Sequence, residues 1–170
     1  MKKRNKWYLF IIVVSVVLIG FGGYWAFNFK EEATSAVVEN MKVQVLSQET
    51  TDQVGTSEWK KKATGTFLIL DAEMTNQANK EQPASLLTFK IKDTKTKKEY
   101  PLSESATISN ALNKDGKMKD VFFLSTLAKG ESKEGQLVFE MPAKAAKADS
   151  LELVISSTKT AQQKSIKIQN

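Results

Sequence analysis

Gly65-Thr66-Phe67-Leu68-Ile69-Leu70-Asp71-Ala72-Glu73-Met74-Thr75-Asn76 decides how the rest of the chain is read. Leu68, Leu70, Ala72 and Met74 alternate with Asp71, Glu73 and Thr75. A period of two puts the first set on one face of a β-strand and the second on the other. Such a strand belongs in an antiparallel sheet with one face on a core and one toward water. The same period recurs to either side. Met41, Val43 and Val45 alternate with Lys42 and Gln44, and Leu87, Phe89 and Ile91 alternate with Thr88, Lys90 and Lys92. Leu137, Phe139 and Met141 share a face before Pro142, Leu151, Leu153 and Ile155 form a further set, and Ile166 with Ile168 predicts a terminal edge strand. Asp93 to Lys97 carries turn chemistry and predicts a hairpin that returns through Tyr100. Val121 to Leu124 is a short apolar run, and only residues 106–112 and 143–149 read as helical, for a turn or two each. About seven short strands with no long helical pattern between them predict an all-β, immunoglobulin-like antiparallel β-sandwich over residues 41–170.

Upstream, residues 7–29 contain no charged side chain and follow Lys2, Lys3, Arg4 and Lys6. As a helix rising ~1.5 Å per residue this run is about 35 Å long, enough for a ~30 Å hydrocarbon core. Trp7 and Tyr8 at one end, with Tyr24 and Trp25 at the other, suit the two headgroup layers. Four cations stand before the run and only Lys30 directly after it, which predicts a cytoplasmic N-terminus and an exported remainder. The expected organisation is a basic cytoplasmic segment (1–6), one transmembrane helix (7–29), a juxtamembrane linker (30–40) and an extracellular domain (41–170). A cleaved signal peptide is the competing reading, and it exports the same remainder. The run is longer than the usual apolar core of roughly 7 to 15 residues, and the aromatics at Tyr24, Trp25 and Phe27 leave no good cleavage site. With no cysteine in the chain, a lipid-modified cysteine anchor is excluded.

The net charge of +6 is mostly that topogenic signal. Removing its four cations from the 25 leaves 21 lysines against 19 acidic residues from Lys30 onward, a net of +2. Lysine and acidic residues are mixed throughout, unlike the basic stripe of a nucleic-acid binder, so no nucleic-acid partner is expected. The absence of histidine and cysteine excludes His-assisted nucleophiles, thiol chemistry and ordinary zinc sites. What chemistry remains is thin. A Ser-Lys pair arises by chance among so many lysines. Asp71 and Glu73 stand about 7 Å apart on one strand face, as any amphipathic strand would place them. Asn113 to Asp120 holds an Asp115-Gly116 turn with a faint calcium-loop look, but Lys114, Lys117 and Lys119 oppose a divalent cation. No enzyme activity, cofactor or metal is expected.

Trp59-Lys60-Lys61-Lys62 is the first candidate binding surface, an aromatic beside three cations that suits lipid headgroups or an anionic envelope polymer. The plainer expectation places Trp59 against the sandwich and the lysines in solvent. Lys95, Lys97 and Lys98 make a second cluster, read as a charged hairpin tip. Gly20, Gly22 and Gly23 allow close helix approach but lack the four-residue spacing of a dimerisation motif.

Gly65 to Asn76, the run Leu127-Ala-Lys-Gly130-Glu-Ser-Lys-Glu-Gly135-Gln-Leu-Val-Phe139-Glu-Met-Pro142 and Leu151-Glu-Leu153 together resemble a family of small Gram-positive extracytoplasmic immunoglobulin-like domains of unknown function, over about residues 41–157. The resemblance implies carriage on an N-terminal membrane helix or lipoprotein signal and a fold similar to that of a mycobacterial secreted immunoprotective antigen. It brings no catalytic residues. Some relatives carry a telomere-repeat-binding label, which the near-neutral domain contradicts. In the motif, Gly130 and Gly135 are expected to bracket a polar turn, Phe139 to fill the core, and Asn76 to cap the turn before residues 77–83. The chain is therefore expected to be a non-catalytic, membrane-anchored binding module of the cell envelope; the alternative is an accessory subunit of a membrane complex. Its expected partners are the lipid bilayer and either another membrane or surface protein or an anionic envelope polymer.

Overall fold

Phe67, Leu68, Ile69 and Leu70 are all buried, although a strand turns successive side chains to opposite faces. They lie in β3 (Lys61–Asn76), the longest strand, so β3 is covered on both faces over these four residues. The computed structural model describes residues 34–112 and 121–168. The segments 1–6 and 7–29, with Trp7, Tyr8, Tyr24 and Trp25, lie outside them, as does the stretch Asn113 to Asp120. Among the described residues no helix is long and apolar enough to cross a membrane.

One sheet has the order β1-β2-β3-β8, with β1 (Ser35–Val38), β2 (Met41–Val54) and β8 (Ser132–Met141) antiparallel to their neighbours. The other has the order β10-β9-β5-β6, from β5 (Leu87–Asp93), β6 (Glu99–Pro101), β9 (Leu151–Ser157) and β10 (Gln163–Lys167). A short pair, β4 (Gln82–Pro83) with β7 (Thr126–Leu127), bridges two loops. One helix, α1 (Glu104–Ala111), follows β6. The domain is a β-sandwich. Its main core joins Val43, Leu68, Leu70, Met74 and Phe139 of the first sheet to Phe89, Ile91, Leu153 and Ile155 of the second. Fully burying such a side chain contributes about 1.5–3 kcal/mol, and with no disulfide available this burial carries the stability.

The far face of the first sheet has a second, smaller core of Val54, Phe67, Ile69, Ala106 and Val138. Ala106 brings α1 onto the sheet, and Thr107 pins it there. Thr107 Oγ1 accepts from the Val138 backbone N–H at 3.1 Å and donates to the Ser103 carbonyl at 2.9 Å. Asp71, Glu73 and Thr75, the polar set read from the sequence, are the half-buried residues that follow this covered stretch of β3.

Several expectations are corrected. Ser35–Val38 is a strand and Val38 is buried, so the domain begins before residue 41 and takes in residues expected to be linker. The turn behind it is tight: Glu39 and Asn40 both take positive φ, 51° and 59°, as a two-residue hairpin turn matched to strand twist requires. The short apolar run Val121 to Leu124 forms a 3-10 turn at Phe122–Leu124. Gly135 is not at the corner; it lies inside β8 opposite Ala72, leaving Gly130, with φ 74°, to make the turn. The helical reading of residues 143–149 shrinks to a 3-10 turn at Ala145–Lys147, whereas that of 106–112 corresponds to α1. The hairpin through Tyr100 is present, with Ile91 opposite Tyr100, and Ile166 and Ile168 are buried in and just after the edge strand β10.

Candidate functional site

The chain leaves β2 at Val54 through Gly55, whose φ is 81°. A Cβ there would stand 2.3 Å from the Trp59 carbonyl oxygen, so the turn into the Ser57–Trp59 3-10 segment needs glycine. Trp59 is 56% exposed, which corrects the expectation that it folds onto the sandwich. The neighbouring apolar surface is already closed, because Ala106 of α1 and the half-buried Ala63 complete the cluster around Phe67 and Ile69. Lys60 and Lys62 are exposed and Lys61 is half-buried, so Trp59 stands in solvent among cations.

Where β5 ends, its last residue, Asp93, is buried. Its carboxylate accepts from Ser150 Oγ at 2.6 Å, Thr96 Oγ1 at 2.6 Å, and the backbone N–H groups of Lys95 at 2.9 Å and Thr96 at 3.3 Å. The Ser150 and Thr96 hydroxyls, in that order, hold its carboxyl below the ordinary value of 3.8 against the opposing effect of burial. Thr94 N–H donates to the Ser150 carbonyl at 2.9 Å, so the hairpin turn is stapled to the loop that follows β8. Between turn and loop opens a cleft of about 480 Å³. Lys95 and Lys98 line it from the turn, Lys144 and Lys147 from the loop, and Tyr100 and Asp149 stand on its walls. The ion pairs among the described residues are Lys90–Glu99 at 2.8 Å and Lys133–Glu131 at 3.9 Å, and neither involves these four lysines. The sequence marked Lys95 and Lys98, with Lys97 at the tip. It gave no sign of Lys144 and Lys147, because each loop alone reads as a solvated charged turn.

A second cleft, of about 450 Å³, lies beside α1 on the far face of the first sheet. Asp71 lines it, but both carboxylate oxygens are engaged: Oδ1 accepts from Gln136 Nε2 at 2.8 Å and Oδ2 accepts from Ser47 Oγ. Asn110 Nδ2 of α1 donates to Gln136 Oε1 at 2.6 Å, so the network braces helix against sheet. Glu73 faces Glu134 across the β3–β8 pair rather than cooperating with Asp71. The structure therefore does not bring Asp71 and Glu73 together as a working pair. Among the described residues no group of three carboxylate, histidine or cysteine side chains is placed to hold a metal.

Asn76 is fully buried at the end of β3. Its Nδ2 donates to the carbonyls of Lys80, Leu127 and Ala128 at 2.8, 3.0 and 3.1 Å, and its Oδ1 accepts from the Ala78 N–H at 2.9 Å. It caps the turn, as expected, and also ties that turn to β7.

Residues 33–166 match the family described as a domain of unknown function, DUF4352. Among solved structures, the chain is similar to a conserved hypothetical protein from Bacillus anthracis at 18% identity and a TM-score of 0.55, covering 78% of this chain and 92% of that one. It is also similar to the yjhA protein from Bacillus subtilis, at 14% identity and a TM-score of 0.49 over 78% and 94% of the two chains. A functionally unknown protein from Listeria monocytogenes gives 14% and 0.49 over 81% and 82%. The first of these likenesses shows a shared fold. No curated protein matches the chain.

Proposed function

This chain belongs to the DUF4352 family, and we propose that it is a membrane-tethered, non-catalytic binding module held on the outer side of the cell membrane. The observation that carries the reading is the uncharged run at residues 7–29, bracketed by Trp7, Tyr8, Tyr24 and Trp25 and preceded by four cations. A run of that length and polarity anchors with its N-terminus in the cytoplasm. The sandwich, which we take to be immunoglobulin-like, supplies the binding surface, and its stability without cysteine suits any redox environment. The missing histidine and cysteine favour binding over catalysis.

Fractionation tests the tether. The full-length chain should remain in the membrane pellet after alkaline carbonate washing. Protease added to intact protoplasts should remove the sandwich while an epitope at Met1 survives. Recovery in the carbonate supernatant, or a sandwich protected until the cells are lysed, would overturn the proposal.

A further inference from the structure

The four lysines of the cleft at the Asp93 end come from two loops far apart in the chain, and nothing in the local sequence of either loop requires the other. Folding brings them together through the Asp93–Ser150 hydrogen bond. All four lysines are exposed, and like charges gathered in one cleft repel even where water screens them. Two carboxylates share the lining. Asp93 is already satisfied by four donors, and Asp149 is exposed. Four lysines against two aspartates leave the cleft at +2, which equals the whole surplus of 21 lysines over 19 acidic residues from Lys30 onward. The cleft thus carries a local excess of positive charge at a concave place that has room for a ligand of several heavy atoms.

We propose that the cleft formed by Lys95, Lys98, Lys144 and Lys147 is a binding site for a ligand bearing at least two phosphate ester groups. Ammonium groups are compact point charges with three donors each, and from two sides of a cleft they meet tetrahedral oxyanions without the planar fork that a single carboxylate favours. Two or more anionic groups are needed to answer four cations. Tyr100, Pro142 and Ala145 give the lining an apolar part, which suits the carbon skeleton between successive phosphates. A polyol phosphate polymer and the phosphoglycerol headgroups of a lipid layer share this chemistry. The register of β1 with β2, Ser35 opposite Gln44 and Val38 opposite Met41, runs the chain away from this end as it enters the sandwich. The proposal deepens the binding-module reading, but its test does not depend on where the protein resides.

The test uses the full-length protein in a neutral detergent, with sodium tripolyphosphate as the probe in calorimetric titrations at low and moderate salt. The variant Lys95→Gln/Lys144→Gln/Lys147→Gln removes cations from both loops, and Lys80→Gln/Lys129→Gln/Lys164→Gln removes the same charge from exposed positions elsewhere. The cleft variant should bind about a hundredfold more weakly, from a contribution near a factor of five for each of its three cations, while the control should change by less than about threefold. Micelles doped with phosphatidylglycerol separate the sources. Loss of tripolyphosphate binding on doping assigns the cleft to headgroups, and unchanged binding assigns it to a soluble polymer. Equal weakening in the two triple variants, or no saturable binding by the unaltered protein, would overturn the proposal. Because the titration is made in solution, a failed cleft leaves the tether standing, and a failed tether leaves the cleft standing.

Discussion

The side-chain amide of Asn76 donates to the carbonyl oxygen of Leu127 at 3.0 Å, joining the end of β3 to β7 across 51 residues of chain. The same nitrogen serves Lys80 and Ala128, so one buried amide satisfies carbonyls from two loops that otherwise share no strand pairing with β3. This gives a physical reason for an asparagine at the end of the strongest strand. Only an amide offers donors to the carbonyls and an acceptor to the Ala78 N–H together. Asn76→Ala should cost about 2–4 kcal/mol, since several buried polar groups lose their partner. Asn76→Asp should cost at least as much at neutral pH, because a carboxylate would face carbonyl oxygens. Urea unfolding midpoints at constant m-value measure both. A loss below about 0.5 kcal/mol for either would remove Asn76 from this bracing role.

Asp93 supports a prediction with a definite sign. Its carboxyl is held below the ordinary 3.8 in the folded chain. A lowered folded-state pKa means that the stability it contributes is present above the unfolded value and is lost as pH falls through the folded one. Asp93→Asn should therefore lower the melting temperature at pH 7. The gap between variant and unaltered protein should narrow as the pH falls below about 4, because the unaltered carboxylate loses its own advantage there. Glu39, held down by the Thr160 and Ser157 hydroxyls, and Glu99, held down by Lys90, add to the acid sensitivity of both proteins and cancel from the difference. A gap that stays constant from pH 7 to 3 would show that the carboxylate's charge is not what staples the two loops.

Thr107 tests whether α1 is part of the folded unit. Replacing it with valine keeps the shape but strips the acceptor from the buried Val138 N–H. An unsatisfied buried donor costs about 1–3 kcal/mol. Thr107→Val should destabilise by that amount, and amide exchange at Val138 should quicken more than at Leu70 in the main core. Equal protection at both amides would mean that Thr107 is not what holds the helix.

The inner faces of both sheets were legible because burial against one layer imposes a period of two, and Leu68, Leu70, Met74, Phe89, Ile91, Leu153 and Ile155 all obey it. The far face of the first sheet was legible only in part. Phe67-Leu68-Ile69-Leu70 is a continuous apolar run, which by itself signals burial on both sides, yet its cover, Ala106, sits in a short and weakly apolar helix far along the chain. Ser35–Val38 was missed because four residues offer too little alternation; its pairing is set by the positive φ of Glu39 and Asn40, and glutamate gives little hint of that conformation. Gly135 was misplaced for the opposite reason. A second glycine near a turn reads as a corner, yet Gly135 lies within a strand, opposite another small residue, Ala72. The lysine cleft depends on a contact between Asp93 and Ser150 that no local pattern encodes.

Two glycines with similar backbone angles separate conformational strain from crowding. Gly130 has φ 74°, and a Cβ there would meet nothing within 4 Å. Gly130→Ala should therefore cost only the left-handed penalty, about 1–2 kcal/mol. Gly55 has φ 81° and its Cβ would press on the Trp59 carbonyl oxygen at 2.3 Å, with Ser109 Cβ at 3.2 Å. Gly55→Ala adds a backbone clash to the same penalty, so it should cost more and displace the Ser57–Trp59 turn. That turn presents Trp59 to solvent, so its fluorescence against acrylamide quenching reports the movement. To isolate the signal, Trp7 and Trp25 are replaced by phenylalanine in both variants and in the parent. Gly55→Ala should change the quenching of Trp59, while Gly130→Ala should leave it as in the parent. Identical quenching and identical stability loss in the two variants would mean that the Gly55 turn tolerates a side chain and that the exposure of Trp59 does not depend on it.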